Sequence, residues 1–153
     1  TALAVPAFGG ILLSVCSAGS AVSGAIFGGI TLRAPIERQF VIATGLMAVP
    51  MLLHYYVDER VLFAVVAFLA GTCIAPSMAC QSVLISRLAP SRYATEAFTW
   101  SSTCIVGGLG AGMAFGGWLI ETQGVKTPFL AGAIIMVIVS FTALSPKQGR
   151  VSV

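Results

Sequence analysis

The chain has 153 residues, of which 58% are hydrophobic and 8% are charged, and its formal net charge at pH 7 is +3. Soluble domains carry about 25% charged residues. Eight Lys or Arg and five Asp or Glu cannot cover the surface of a soluble fold of this size. The composition therefore excludes a soluble globular protein and predicts an all-α membrane protein. We expect the lipid bilayer as a partner and no nucleic acid.

Five apolar runs are long enough to cross a bilayer, which takes about 20 mostly apolar residues. They extend over residues 7–32, 40–56, 61–86, 95–120 and 128–144, and the breaks between them hold nearly every charge. No linker or low-complexity stretch interrupts the series. We therefore predict one transmembrane bundle over residues 1–153, with five spans and no internal domain boundary.

The first span is crowded with small residues, and Gly24 and Gly28 fall four residues apart on one ridge. The fourth span repeats this spacing at Gly108, Gly112 and Gly116. Lipid supplies no hydrophobic drive for helices to associate, so such ridges matter because they let two backbones approach closely. We predict contact between the two ridges, either as a sliding gate or as static packing.

The basic residues predict the orientation of the chain. The first break, the third break and the tail each hold two Lys or Arg, whereas the second and fourth breaks hold one each. The positive-inside rule puts the richer set in the cytoplasm. We expect insertion in the cell membrane with a cytoplasmic C-terminus. Five spans then put the N-terminus outside, which implies a further helix upstream of Thr1.

Three ring-bearing side chains, His54, Tyr55 and Tyr56, lie at the outer end of the second span. Amphipathic rings collect where the membrane meets water, because they present an apolar body and a polar tip. We interpret the three residues as part of an aromatic belt.

The third span contains Pro76, which cannot donate a hydrogen bond to the Thr72 carbonyl, so we expect a kink there. Gln81 is the amide deepest in any span, and it needs either a hydrogen-bonding neighbour on another helix or a wet cavity. We favour the cavity, because a kink, small residues and a polar stripe coincide. The predicted substrate path comprises Ser14, Ser17, Thr72, Cys73, Ser77 and Gln81.

No Asp, Glu, Lys, Arg or His lies near the middle of a span, so the spans offer no catalytic pair and no proton-relay carboxylate. The four cysteines lie within apolar runs and form no C-x-x-C pair, as is typical of packing residues. We predict no enzymatic activity, no cofactor and no metal site.

The stretch G-G-I-T-L-R-A-P-I-E-R, from Gly28 to Arg38, resembles a cytoplasmic loop motif of the major facilitator superfamily, G-x-x-x-D-R-x-G-R-R. Gly28, Arg33 and Arg38 match this motif. Leu32 replaces its acid and Pro35 replaces its second glycine, so the copy is degenerate.

A second stretch, A-P-S-R-Y-A-T-E-A-F-T-W at residues 89–100, matches the same family better than the loop motif does. The glycine-rich run 107–117 comes after it. This region looks like the loop and eleventh helix of bacterial drug- or sugar-efflux-type members. The resemblance covers the whole chain and implies the C-terminal half of a transporter, helices eight to twelve of twelve. The missing N-terminal half of the same transporter would then be a partner.

The resemblance implies alternating access with a small-molecule substrate near the membrane midplane. The predicted function is secondary active transport of a small organic solute, in the direction of efflux. The alternative is a non-transporting structural or receptor-like multi-pass protein. A kinked and polar third span favours transport, since a scaffold does not require one.

Overall fold

A computed structural model of the protein describes residues 6–30 and 33–143. Within those ranges the chain is helical and contains no strand. The helices are α1 (Pro6–Gly29), α2 (Ile36–Leu46), α3 (Ala48–Tyr56), α4 (Arg60–Leu88), α5 (Ala94–Gln123) and α6 (Thr127–Ala143). A single 3-10 turn, Ser91–Tyr93, precedes α5.

Four stretches are long and apolar enough to cross a membrane: Phe8–Gly29, Ile36–Tyr56, Arg60–Leu88 and Ser91–Gln123. A fifth apolar helical stretch, Thr127–Thr142, is shorter. The prediction of an all-α, multi-pass membrane protein is confirmed. The last two residues of the first predicted span and the last residue of the fifth lie outside the described residues.

The second predicted span begins earlier than expected, at Ile36 rather than at residue 40, and it consists of two helices. The break falls at Met47 because Pro50 has no N–H to donate to the Leu46 carbonyl. Met47 keeps helical backbone angles (φ −62°, ψ −23°). The helices α2 and α3 therefore form one interrupted crossing.

Helix α4 is the centre of the bundle and packs against α1, α2, α3 and α5. Its buried side chains are mainly small or β-branched, among them Val66, Ala67, Ala70 and Cys73. The helix continues through Pro76 over 29 residues, about 43 Å at 1.5 Å per residue. Helix α6 packs against α2 and α3.

The closest approach of two helices is the crossing of α1 over α4. A Cβ at Gly19 would overlap the Phe68 carbonyl oxygen, and a Cβ at Gly71 would overlap the Cys16 carbonyl oxygen. One glycine on each helix thus faces the backbone of the other helix. The two backbones touch there, with no side chain between them.

This arrangement differs from the predicted contact between the first and fourth spans. Helix α1 packs on α4, and its Gly24 faces the Ala75 methyl of α4. Helix α5 contacts α4 and α6 but makes no extensive contact with α1 within the described residues. In the part of the chain that the structure describes, nothing lies within 4 Å of a Cβ placed on the other ridge glycines, namely Gly28, Gly108, Gly112 and Gly116. Helix α1 comes closest to α4 at Gly19 and Gly71, and not at Gly24 of the predicted ridge.

Candidate functional site

A groove of about 580 Å³ runs along one side of the α1–α4 crossing. Small side chains leave this space open, and Ile74 and Ala75 of α4 form its floor. We call it the small-residue groove. Its wall on α1 consists of Leu13, Cys16, Ser17, Ser20, Ala21, Gly24 and Ala25.

Two of the predicted path residues belong to this side of the molecule. Ser17 lines the groove and is exposed. Ser14 lies one turn before it, is also exposed, and donates its hydroxyl to the Gly10 carbonyl at 2.9 Å. The groove therefore presents small hydroxyl groups among apolar side chains.

The same face of α4 continues from the groove towards α5. Ile74, Met78 and Gln81 stand four and three residues apart, so their side chains share one face of the helix. The amide nitrogen of Gln81 donates to the hydroxyl of Ser101 on α5 at 3.0 Å. Gln81 thus makes the interhelical hydrogen bond that the sequence offered as the alternative to cavity lining.

Thr72 and Cys73 lie on a different side of α4 from the small-residue groove. Both line a separate cleft between α4, α1 and α2. The Thr72 hydroxyl donates to the Leu69 carbonyl at 2.7 Å, and Cys73 is buried. Ser77 is half-buried between the two sides and donates to the Ile74 carbonyl at 2.8 Å. The structure therefore divides the six predicted path residues among three locations.

Charges gather at the two ends of the helices. One end carries four arginines and two glutamates: Arg33, Glu37, Arg38, Arg87, Arg92 and Glu96. The opposite end carries three acidic and two basic residues: Asp58, Glu59, Arg60, Glu121 and Lys126. There the ammonium of Lys126 pairs with the carboxylate of Asp58 at 2.7 Å, which ties the loop before α4 to the loop before α6. We call the first of these the basic end.

His54 does not belong to an exposed belt, in contrast to the sequence interpretation. Its side chain is 4% exposed and its Nδ1 lies 2.7 Å from the Pro50 carbonyl oxygen. Its ring stacks on Phe129 at 4.9 Å and meets the edge of Phe63 at 4.4 Å. His54 therefore joins α3, α4 and α6. Tyr56, two residues on, is 71% exposed.

Sequence reasoning assigned His54 to the wrong environment and missed the glycine pair Gly19 and Gly71. The sequence gives a weak signal for a close helix contact at the two glycines, because each follows an alanine in a helix long enough to cross a membrane. Two other glycines, Gly112 and Gly132, also follow an alanine, so this signal does not single out the pair. For His54 the signal would have been the two distant phenylalanines, which only the fold brings together.

No cluster of three or more His, Cys, Asp or Glu side chains with metal-binding geometry occurs in the part of the chain that the structure describes. The cysteines in this part are free thiols. The chemistry available in the small-residue groove is thus hydrogen bonding through Ser hydroxyls and contact with apolar side chains.

A sequence model of the Major Facilitator Superfamily matches residues 4–151 of the chain. Searches of curated proteins and of solved structures gave no significant match. The family match extends over nearly the whole sequence, and the helices long enough to cross a membrane agree with it. The chain therefore belongs to the Major Facilitator Superfamily of membrane transporters.

Proposed function

We propose that this chain is the C-terminal half of a secondary transporter that exports a small organic solute by alternating access. The observation that carries the proposal is the small-residue groove on α1 and α4. The Gln81–Ser101 pair lies further along the same face of α4 as Ile74. A site between two helix bundles at mid-membrane depth is what alternating access requires.

The lining of this path indicates the class of substrate. Ser17 and Ser20 offer hydroxyls, Gln81 and Ser101 offer a hydrogen-bonded pair, and the other lining side chains are apolar. Such a surface suits a small solute that is mainly apolar and carries a few hydrogen-bonding groups. The export direction rests on the resemblance of the stretch 89–100 to efflux-type members.

The N-terminal half of the same transporter is the proposed partner of the open faces of α1 and α5. Among the described residues, a Cβ placed on Gly28, Gly108, Gly112 or Gly116 would meet open space, and close packing against another helix would use such positions. In this proposal the exposed Arg33, which precedes α2, and the exposed Arg38, in the first turn of α2, lie at the end of the bundle that rearranges when the two halves rock.

The path can be tested with single cysteines in the full transporter after its native cysteines are replaced. Ser17→Cys and Gln81→Cys are expected to react with a small polar thiol reagent and to lose transport on modification. Thr72→Cys is the matched control, because its side chain lines the separate cleft. Loss of transport on modification of Thr72→Cys, with Ser17→Cys and Gln81→Cys unaffected, would place the path elsewhere.

The direction can be tested by the accumulation of a lipophilic fluorescent dye in energised cells. Cells that express the transporter are expected to accumulate less dye than cells that carry the empty vector. Dissipation of the ion gradients should remove the difference. Equal or higher accumulation with the transporter would contradict export of this class of solute.

A further inference from the structure

Two apolar grooves meet on the side of the α1–α4 contact opposite the small-residue groove. The first has a volume of about 300 Å³ and lies between α1 and α4. The second has a volume of about 330 Å³ and lies between α1, α2 and α4. Phe27, Thr72 and Pro76 line both of them, so the two grooves run side by side with Phe27 between them.

The polar side chains in these grooves already have hydrogen-bond partners. The Thr72 hydroxyl donates to the Leu69 carbonyl at 2.7 Å, and the Ser23 hydroxyl donates to the Ser20 carbonyl at 3.0 Å. The Gln39 amide donates to the Ala34 carbonyl at 2.6 Å. The walls therefore favour an apolar occupant, since a polar one would find few free partners.

A single charged side chain, that of Arg33, lines the second groove. It lies at the basic end, is exposed, and forms no salt bridge within residues 6–30 and 33–143. Arg38 is also exposed nearby, with Glu37 as the adjacent acid. Because this end carries more arginines than glutamates, it attracts an anionic group.

The depth of the grooves matches one leaflet of a bilayer. The α1 wall of the first groove extends from Val22 to Ile30, which is about 12 Å along the helix axis. Half of a hydrocarbon core that is about 30 Å thick is about 15 Å. Thr72 and Pro76, at the inner end, lie near the middle of α4.

We infer that these grooves bind one anionic phospholipid. Each groove holds one acyl chain, the two chains pass on either side of Phe27, and the phosphate pairs with the Arg33 guanidinium. The lipid covers the wedge that α1, α2 and α4 leave open. This site is separate from the solute path and does not depend on the proposed direction of transport.

The test uses the full transporter, delipidated in detergent and titrated with dioleoyl phosphatidylglycerol or dioleoyl phosphatidylcholine. Native mass spectrometry counts the retained lipids, and the thermal unfolding midpoint is measured in parallel. We expect one phosphatidylglycerol to bind more tightly than phosphatidylcholine and to raise the midpoint. Arg33→Gln should weaken phosphatidylglycerol binding about fivefold, which corresponds to about 1 kcal/mol per basic residue at the membrane surface.

Arg87→Gln is the matched control, since Arg87 lies at the same end and lines neither groove. It should leave the affinity unchanged. Ala43→Phe fills the second groove and should weaken the binding of both lipids while the protein stays monodisperse. Equal effects of Arg33→Gln and Arg87→Gln, equal affinity for the two lipids, or full binding by Ala43→Phe would each overturn the inference.

Discussion

Gly19 and Gly71 are the residues on which the contact between α1 and α4 depends. Gly19 faces the backbone carbonyl of Phe68, and Gly71 faces that of Cys16. In lipid, helix association relies on van der Waals contact, and small residues provide it by letting backbones meet. A side chain at either position would force the two helices apart along the whole crossing.

Gly71→Ala is expected to destabilise the protein by about 1–3 kcal/mol, the usual range for overpacking in a close-packed interior. The measurement is the thermal unfolding midpoint of the purified transporter. Gly132→Ala is the control, because a Cβ there meets the Met51 sulfur at an ordinary distance of 3.6 Å. Equal midpoints for the two variants would show that the crossing is looser than described.

His54 is the second residue on which the packing of the helices depends, because its ring fills the space between Phe63 and Phe129. We expect His54→Ala to cost about 2–4 kcal/mol of unfolding free energy through the cavity it leaves. Tyr56→Ala, at a side chain 71% exposed, should cost much less. Chemical unfolding of both variants in one detergent checks this, and similar losses would contradict the burial of His54.

At the scale of helices, α5 differs from α4, the other helix of about the same length. One of its residues, Leu119, is buried, whereas α4 buries seven residues of its own. Its glycines at 107, 108, 110, 112, 116 and 117 face open space. The Gln81–Ser101 hydrogen bond is the side-chain hydrogen bond that joins α5 to α4 within the described residues. The position of α5 therefore depends on few contacts in this chain.

A double-mutant cycle on Gln81→Ala and Ser101→Ala measures this link. We expect a coupling energy of about 0.6 kcal/mol, with about 1.7 kcal/mol as the upper limit for hydrogen bonds between membrane helices. Ser82→Ala with Thr99→Ala is the control pair, because each of those hydroxyls donates to a carbonyl of its own helix. A coupling no larger than that of the control pair would mean that the two helices are not joined here.

At the scale of the whole molecule, the charge distribution divides the chain into a basic end and an end with a slight acidic excess. Exposed pairs such as Lys126–Asp58 add little stability, since such pairs are worth about 0–1 kcal/mol. The excess of arginines at the basic end bears instead on orientation, because basic loops are retained on the cytoplasmic side. We accordingly predict that the basic end and the C-terminus face the cytoplasm.

Single cysteines in a transporter without native cysteines test this orientation. Ser91→Cys lies in the turn before α5 at the basic end, and Gln123→Cys lies at the opposite end of α5. A membrane-impermeant maleimide added to intact cells should label Gln123→Cys and leave Ser91→Cys unlabelled until the cells are opened. The reverse pattern would invert the topology.

Much of the architecture was predictable from the sequence, because the cost of placing charge in hydrocarbon marks the ends of each crossing. The charged stretches 33–38, 58–60, 87–92 and 121–126 overlap the connections between helices in the structure. The class of protein follows from the same property. The same cost predicts that the Gln81 amide needs a hydrogen-bond partner, and the structure identifies that partner as Ser101.

The lateral arrangement of the helices was decided only by the tertiary structure. In a soluble protein an apolar stripe marks the face that a helix buries, but in lipid both the buried and the exposed faces are apolar. The spacing of glycines therefore pointed to Gly24 and Gly28, whereas Gly19 is the glycine of α1 that meets the backbone of α4. For the same reason Thr72 and Ser17, both small and hydroxylic, lie in different grooves on either side of one helix contact.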